Sequence, residues 1–215
     1  MQEQLALLLA FIAGYTDAVG LIKWQTYVSF MSGNTTQLGT GIYNWAGGVV
    51  QATVTVIGSF LVGIYAGTCL SLLKNYGNRA FACYIVAGIL IVYSILGYCY
   101  EIPRTGSLGI IGFSMGLMNT IITSVGKLHV NTDFVTGTLN SLARNAALFT
   151  MSHDPDAKEV YKSNAIHLLL LWLGFLSGAA LAPSLLRILG SWLLLFPALL
   201  LMIAAFTILI SNFKN

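Results

Sequence analysis

Six apolar stretches, at 5–21, 49–73, 81–98, 108–125, 166–181 and 189–210, set the rhythm of the chain. Each is about 16 to 25 residues long, the number a helix needs to cross some 30 Å of hydrocarbon at 1.5 Å per residue. Strands of a membrane barrel would instead alternate polar and apolar residues over about ten positions. The pattern predicts an all-α, polytopic transmembrane bundle with six full spans. Two further segments, 25–47 and 127–144, are neither apolar nor ordinary loops. The first contains Phe30-Met31-Ser32-Gly33-Asn34-Thr35-Thr36-Gln37. The second contains His129, Asn131, Thr132, Asp133, Thr136, Thr138 and Asn140. Both are expected to be broken or re-entrant helices. The polar stretch 150–164 reads as a loop, with Asp154-Pro155-Asp156 as a solvated turn.

Composition agrees with this pattern. Hydrophobic residues make up 57% of the chain and charged residues 8%, against about a quarter charged in soluble domains. Such a chain cannot cover its surface with polar groups, so its solvent is lipid. The start, Met1-Gln2-Glu3-Gln4, has no basic leader or cleavage site, so the first span is expected to be retained. The formal charge of +3 comes from residues scattered at the ends of spans, which suits membrane topology and not nucleic-acid binding. Cys69, Cys83 and Cys99 lie far apart in or beside spans and read as packing thiols. No cofactor and no metal site are expected, and no catalytic set is visible, so the chain does not read as an enzyme.

The two halves echo one another. Gly14-Tyr15-Thr16-Asp17 aligns with Gly116-Leu117-Met118-Asn119 at an offset of 102, and Phe30 to Asn34 aligns with Phe134 to Thr138 at 104. Gly63-x-x-x-Gly67 aligns with Gly174-x-x-x-Gly178 at 111. Three matches in one order point to a duplicated unit, 1–104 and 105–215, within a single membrane domain. If the polar segments do not cross fully, the halves are inverted. With the N-terminus inside, Lys74, Arg79, Lys127, Arg144, Lys158, Lys162 and Lys214 are then cytoplasmic, and Lys23, Arg104 and Arg187 are outside. Four full crossings in each half would split the basic residues evenly. The positive-inside tendency therefore favours six spans, both termini in the cytoplasm and an inner, plasma-membrane location.

Interrupted helices at matching places are the sequence pointer to a transport site. A break leaves main-chain N–H and C=O groups that must meet protein, water or ligand. The breaks are expected near Ser32-Gly33-Asn34 and Thr136-Gly137-Thr138, with Thr35 and Asn140 beside them as further substrate-binding candidates. Packing of helices through small residues is the bland alternative. Asp17 is an acid within a span, costly by roughly 2.5–3.5 kcal/mol on insertion scales. With its mate Asn119 it is a candidate for substrate binding and proton coupling, unless it simply sits at the surface near Lys23. His129 and Asp133, four apart, share a face if helical and are further proton-coupling candidates; interfacial capping is the equal alternative.

Gly14-Tyr15-Thr16-Asp17-Ala18 followed by Val28-Ser29-Phe30-Met31-Ser32-Gly33-Asn34-Thr35 resembles the N-terminal signature of the YoaK-like family of bacterial membrane proteins. Gly116 and Asn119, followed by Thr136-Gly137-Thr138-Leu139, resemble its second-half signature. Ser32 stands where that signature has Thr and keeps the hydroxyl. The resemblance spans the chain and implies transport of a small metabolite, with Asp17, Ser32, Gly33, Asn34, Asn119, Thr136, Gly137 and Thr138 as its functional positions.

The expectation is a transporter of a small polar or anionic metabolite. The polar segments would meet near the midplane and work by alternating access, with a proton or other ion as possible co-substrate. The expected partners are the lipid bilayer and that solute, with a homodimer as an open option and no nucleic acid. A channel for ions or small solutes is the first alternative. A non-transporting scaffold held by its glycine faces is the second.

Overall fold

The computed structural model describes residues 2–72, 79–121, 124–125, 128–129 and 135–213. They form helices α1 (Gln2–Trp24), α2 (Met31–Tyr43), α3 (Gly47–Leu72), α4 (Arg79–Cys99) and α5 (Arg104–Met118). These are followed by α6 (Val135–Met151), α7 (Pro155–Leu189) and α8 (Leu195–Phe213). Between α5 and α6, β1 (Ser124–Val125) and β2 (Leu128–His129) form a two-residue antiparallel pair.

Helices α1, α3, α4 and α7 are long and apolar enough to cross a membrane, and α8 carries a shorter apolar run, Leu195–Ile210. Leu61, Val62, Tyr65, Leu173, Leu176, Ile203 and Phe206 are exposed large hydrophobic groups on these helices. Lipid tails, not water, suit such a surface. α1 is the central helix: Leu9, Ile12, Ala13, Tyr15, Thr16 and Asp17 are all buried.

The boundaries differ from the hydropathy pattern in three places. The expected span at 108–125 ends early, because α5 has only 15 residues and stops at Met118. The N–H groups of Thr120 and Ile121 bond to carbonyls only three residues back, and Val125 then pairs with Leu128 in the hairpin. The expected loop at 150–164 is mostly helix. Asp154 caps α7 by accepting a hydrogen bond from the Asp156 N–H at 3.1 Å, with Pro155 in the first helical position, so α7 runs for 35 residues and includes the expected span at 166–181. The last apolar run is split where Gly190 adopts φ +54°, and α8 starts only at Leu195.

Helices pack in matched pairs: α1 along α7, and α3 along α5. Glycines let the backbones touch. A Cβ on Gly14 would lie 2.0 Å from the Phe175 carbonyl oxygen, and one on Gly178 2.0 Å from that of Phe11. In the other pair, a Cβ on Gly116 would lie 2.1 Å from the Phe60 oxygen, and one on Gly63 2.2 Å from that of Phe113. Gly14 and Gly116 lie 102 positions apart, as do Phe11 and Phe113. Gly63 and Gly178 lie 115 apart, as do Phe60 and Phe175. The contacts therefore match Gly63 with Gly178, one helical turn from the register in which the two Gly-x-x-x-Gly motifs align. Such a motif overlaps itself when shifted by four, so sequence alone cannot fix its register.

Directions follow from the contacts. Val56 and Gly67 on α3 meet Gly112 on α5 and Thr120 just past its end, so these two helices are parallel. Glu3 reaches His167 at 2.9 Å and Phe11 meets Gly178, so α1 and α7 are parallel. Arg104, at the start of α5, donates to the Trp24 carbonyl at the end of α1, while Thr16 meets Met115 midway at 3.2 Å. α1 and α5 therefore run in opposite directions.

Candidate functional site

After Trp24 the chain turns back into the bundle. Gln25 takes a left-handed conformation, φ +51°, and the Thr26 N–H bonds to the Gly20 carbonyl. The segment then descends beside α1 to Asp17. This residue sits seven positions before Trp24, about 10 Å along the helix. Asp17 is only 3% exposed. Its Oδ1 accepts hydrogen bonds from the N–H groups of Val28 (2.8 Å), Ser29 (2.7 Å) and Phe30 (3.3 Å). Its Oδ2 accepts from the Ser29 hydroxyl at 2.8 Å. Four donors converge on one carboxylate, the arrangement that makes a buried acid tolerable. Asp17 is buried within the protein, and Lys23 makes no ion pair with it among the described residues.

The break thus spans Gln25 to Phe30, immediately before Ser32-Gly33-Asn34, and α2 starts at Met31. The N-cap residue, Phe30, makes no side-chain cap to that start; its own N–H meets Asp17. Asn34 is fully buried and grips the descending segment. Its Oδ1 accepts from the Tyr27 N–H at 3.1 Å, and its Nδ2 donates to the Tyr27 carbonyl at 2.8 Å. Gly33 lies against the Phe30 ring, where a Cβ would come within 2.5 Å. Ser32, Thr35, Thr36 and Thr40 are exposed along α2. The hydroxyls of Thr35, Thr36 and Thr40 back-bond to carbonyls of their own helix. α2 closes with Trp45 at φ +53° and 93% exposed, the Ala46 N–H bonding to the Gly41 carbonyl, and returns antiparallel along α3.

The second half repeats part of this plan. Asn119 is the C-cap of α5, and its Oδ1 is buried without a hydrogen-bond partner among the described residues. On α6, Thr136 and Asn140 are exposed, while Gly137 and Thr138 are half-buried. Arg144 continues the Thr136–Asn140 stripe and is exposed. Asn145 is buried and accepts from Asn164 on α7 at 3.3 Å, fixing α6 to α7. α2 packs on α3 and α6 on α7; the two short helices do not pack along each other, contrary to the expectation that the polar segments meet. Of the His129–Asp133 pair, only His129 falls within the described residues. His129 belongs to β2, and Asp133 lies outside the described residues. No group of three metal-ligating side chains gathers among the described residues.

Sequence reasoning singled out Asp17 and Asn34 but missed their partners, Ser29 and Tyr27. The two pairings join positions 12 and 7 residues apart through a reversed chain that hydropathy does not display.

Comparison with known proteins supplies a family. Residues 5–207 match the profile of the family described as "Protein of unknown function (DUF1275)". The chain is also 31% identical over 207 residues to the UPF0700 transmembrane protein RA0705 of Rhizobium meliloti (strain 1021), covering 93% of this chain and 84% of that protein. No solved structure matches. Apolar helices long enough to span a bilayer, together with a match over nearly the whole length, lead to one statement: the chain is a multi-pass membrane protein and belongs to the DUF1275 family.

Proposed function

We propose that this protein transports a small polar or anionic metabolite across the inner membrane by alternating access between two inverted halves. The observation that carries this reading is α2. It starts at the depth of Asp17, lacks a side-chain cap and exposes Ser32, Thr35, Thr36 and Thr40. The Thr35, Thr36 and Thr40 hydroxyls are bonded within α2, so the polar groups at that depth that call for water or a solute are the Ser32 hydroxyl and the main-chain N–H groups of the first turn. The helix start also favours an anionic group. The exposed Thr136 and Asn140 on α6 supply a matching surface in the second half.

The antiparallel course of α1 and α5 and the matched glycine contacts support six crossings with inverted halves. α2 then re-enters from the side of Lys23 and Arg104, and α6 from the opposite side. Both termini lie in the cytoplasm. Asp17 anchors the first re-entrant segment. A coupling proton on it has one place, Oδ2, because Ser29 alone among its donors can turn to accept. The resemblance to the YoaK-like family supports transport in the same sense.

The test is uptake into proteoliposomes from a panel of radiolabelled small carboxylates and amino acids. Wild-type protein is expected to give saturable uptake of at least one of them, lost in Ser32→Leu and Thr136→Leu. Flux that never saturates would turn the reading to a channel. No flux from folded protein across the panel would count against transport of this class.

A further inference from the structure

A polar cavity of about 420 Å³ opens at the end of the molecule where α1 and α4 finish and α5 begins. Lys23 and Trp24 line it from α1, Tyr93 and Tyr98 from α4, Glu101 from the link, and Ser107 from α5. The Tyr93 hydroxyl donates to Ser107 at 2.8 Å, and Tyr98 stacks on Trp192 with ring centres 4.9 Å apart, so two sides are braced. Arg104 is occupied elsewhere, on the Trp24 carbonyl and, at 3.2 Å, the Thr26 hydroxyl. Lys23 and Glu101 line the same space, and neither makes an ion pair among the described residues.

We propose that this cavity binds a small zwitterion, its anionic group on Lys23 and its ammonium on Glu101. Opposite charges that share a cavity without pairing leave a gap for a molecule carrying both signs. A simple anion would gain Lys23 but face Glu101, and a simple cation the reverse. Trp24 and the tyrosines offer ring faces that attract an ammonium group. The volume lies in the range of small-molecule sites. The duplicated scaffold does not demand this chemistry. The positions 102 residues from Lys23 and Ser107 are Val125 and Leu5, both apolar. The site is therefore particular to one end of the molecule, and it does not depend on the transport reading.

Two sources offer this chemistry: a free amino-acid-like solute, or the headgroup of a phosphatidylethanolamine lipid. Calorimetry on full-length protein in phosphatidylglycerol nanodiscs, with glycine, β-alanine and glycerophosphoethanolamine as probes and acetate and methylammonium as controls, tests the site. At least one zwitterion is expected to bind ten-fold or more tightly than both controls, and Lys23→Gln and Glu101→Gln each to weaken it at least ten-fold. Nanodiscs that also contain phosphatidylethanolamine separate the sources: competition identifies the headgroup, and unchanged binding a free solute. Absence of binding by all three zwitterions, controls that bind as tightly, or wild-type affinity in both variants would each overturn the proposal. If a variant fails to fold, the wild-type contrast between zwitterions and controls decides alone.

Discussion

Asp17→Ala is expected to leave the protein unable to hold its first re-entrant segment. Three main-chain N–H groups, those of the buried Val28 and Ser29 and the half-buried Phe30, lose their acceptor together, and the Ser29 hydroxyl loses its partner. Each stranded buried donor costs about 1–3 kcal/mol. The total reaches several kcal/mol, comparable with the whole stability of many domains. Asp17→Asn should behave differently. The amide oxygen can still accept from the three N–H groups, and Ser29 can turn its hydroxyl to accept from the new NH₂. Thermal unfolding followed by size-exclusion fluorescence in detergent should show collapse of the Ala variant and a small shift for Asn. Equal stability of the two variants would remove the anchor role. Uptake by the folded Asn variant then separates the roles: retained uptake leaves Asp17 an anchor only, and lost uptake adds proton coupling.

The second large effect concerns the glycines at the crossings. Alanine at Gly14, Gly178, Gly63 or Gly116 places a methyl carbon 2.0 to 2.2 Å from a carbonyl oxygen of the facing helix. Backbone cannot rotate away as a side chain does, so the helix pair must separate by about 1 Å and loses its contact along the seam. The expected cost exceeds the ~1–3 kcal/mol usual for overpacking. Gly58, in the same helix as Gly63, has nothing within 4 Å of an added Cβ. Gly58→Ala should therefore be neutral or slightly stabilising, since alanine favours helix over glycine. Yield of monodisperse protein and melting temperature compare the five variants directly. If Gly63→Ala and Gly58→Ala behave alike, the close backbone approach is not what holds α3 to α5.

Much of this architecture is visible in one dimension. Lipid imposes long apolar runs, and polar residues among them are costly enough to mark themselves, so the polar first turn of α2 at Ser32-Gly33-Asn34 and the buried Asp17 both stand out. The extent of α7 does not. Its first turns, Asp156 to Asn164, are polar, and hydropathy cannot tell a solvated helix from a loop. α5 shows the opposite failure: Ile121 and Val125 extend the apolar run past the helix, because hydropathy is blind to a hairpin. At the site, the acid and amide were legible as misfits. Their partners were not, since Ser29 and Tyr27 look ordinary until the chain reverses and brings them back to α1.

Opposite-face labelling of matched positions tests the central claim most directly. In a chain with Cys69, Cys83 and Cys99 replaced by alanine, Thr36→Cys and Asn140→Cys are exposed to a membrane-impermeant thiol reagent, first in intact cells and then in inside-out vesicles. Two inverted halves with water-lined re-entrant helices predict that Thr36→Cys reacts only from outside and Asn140→Cys only from inside. Labelling of both from one face, or of neither by a water-soluble reagent, would contradict it.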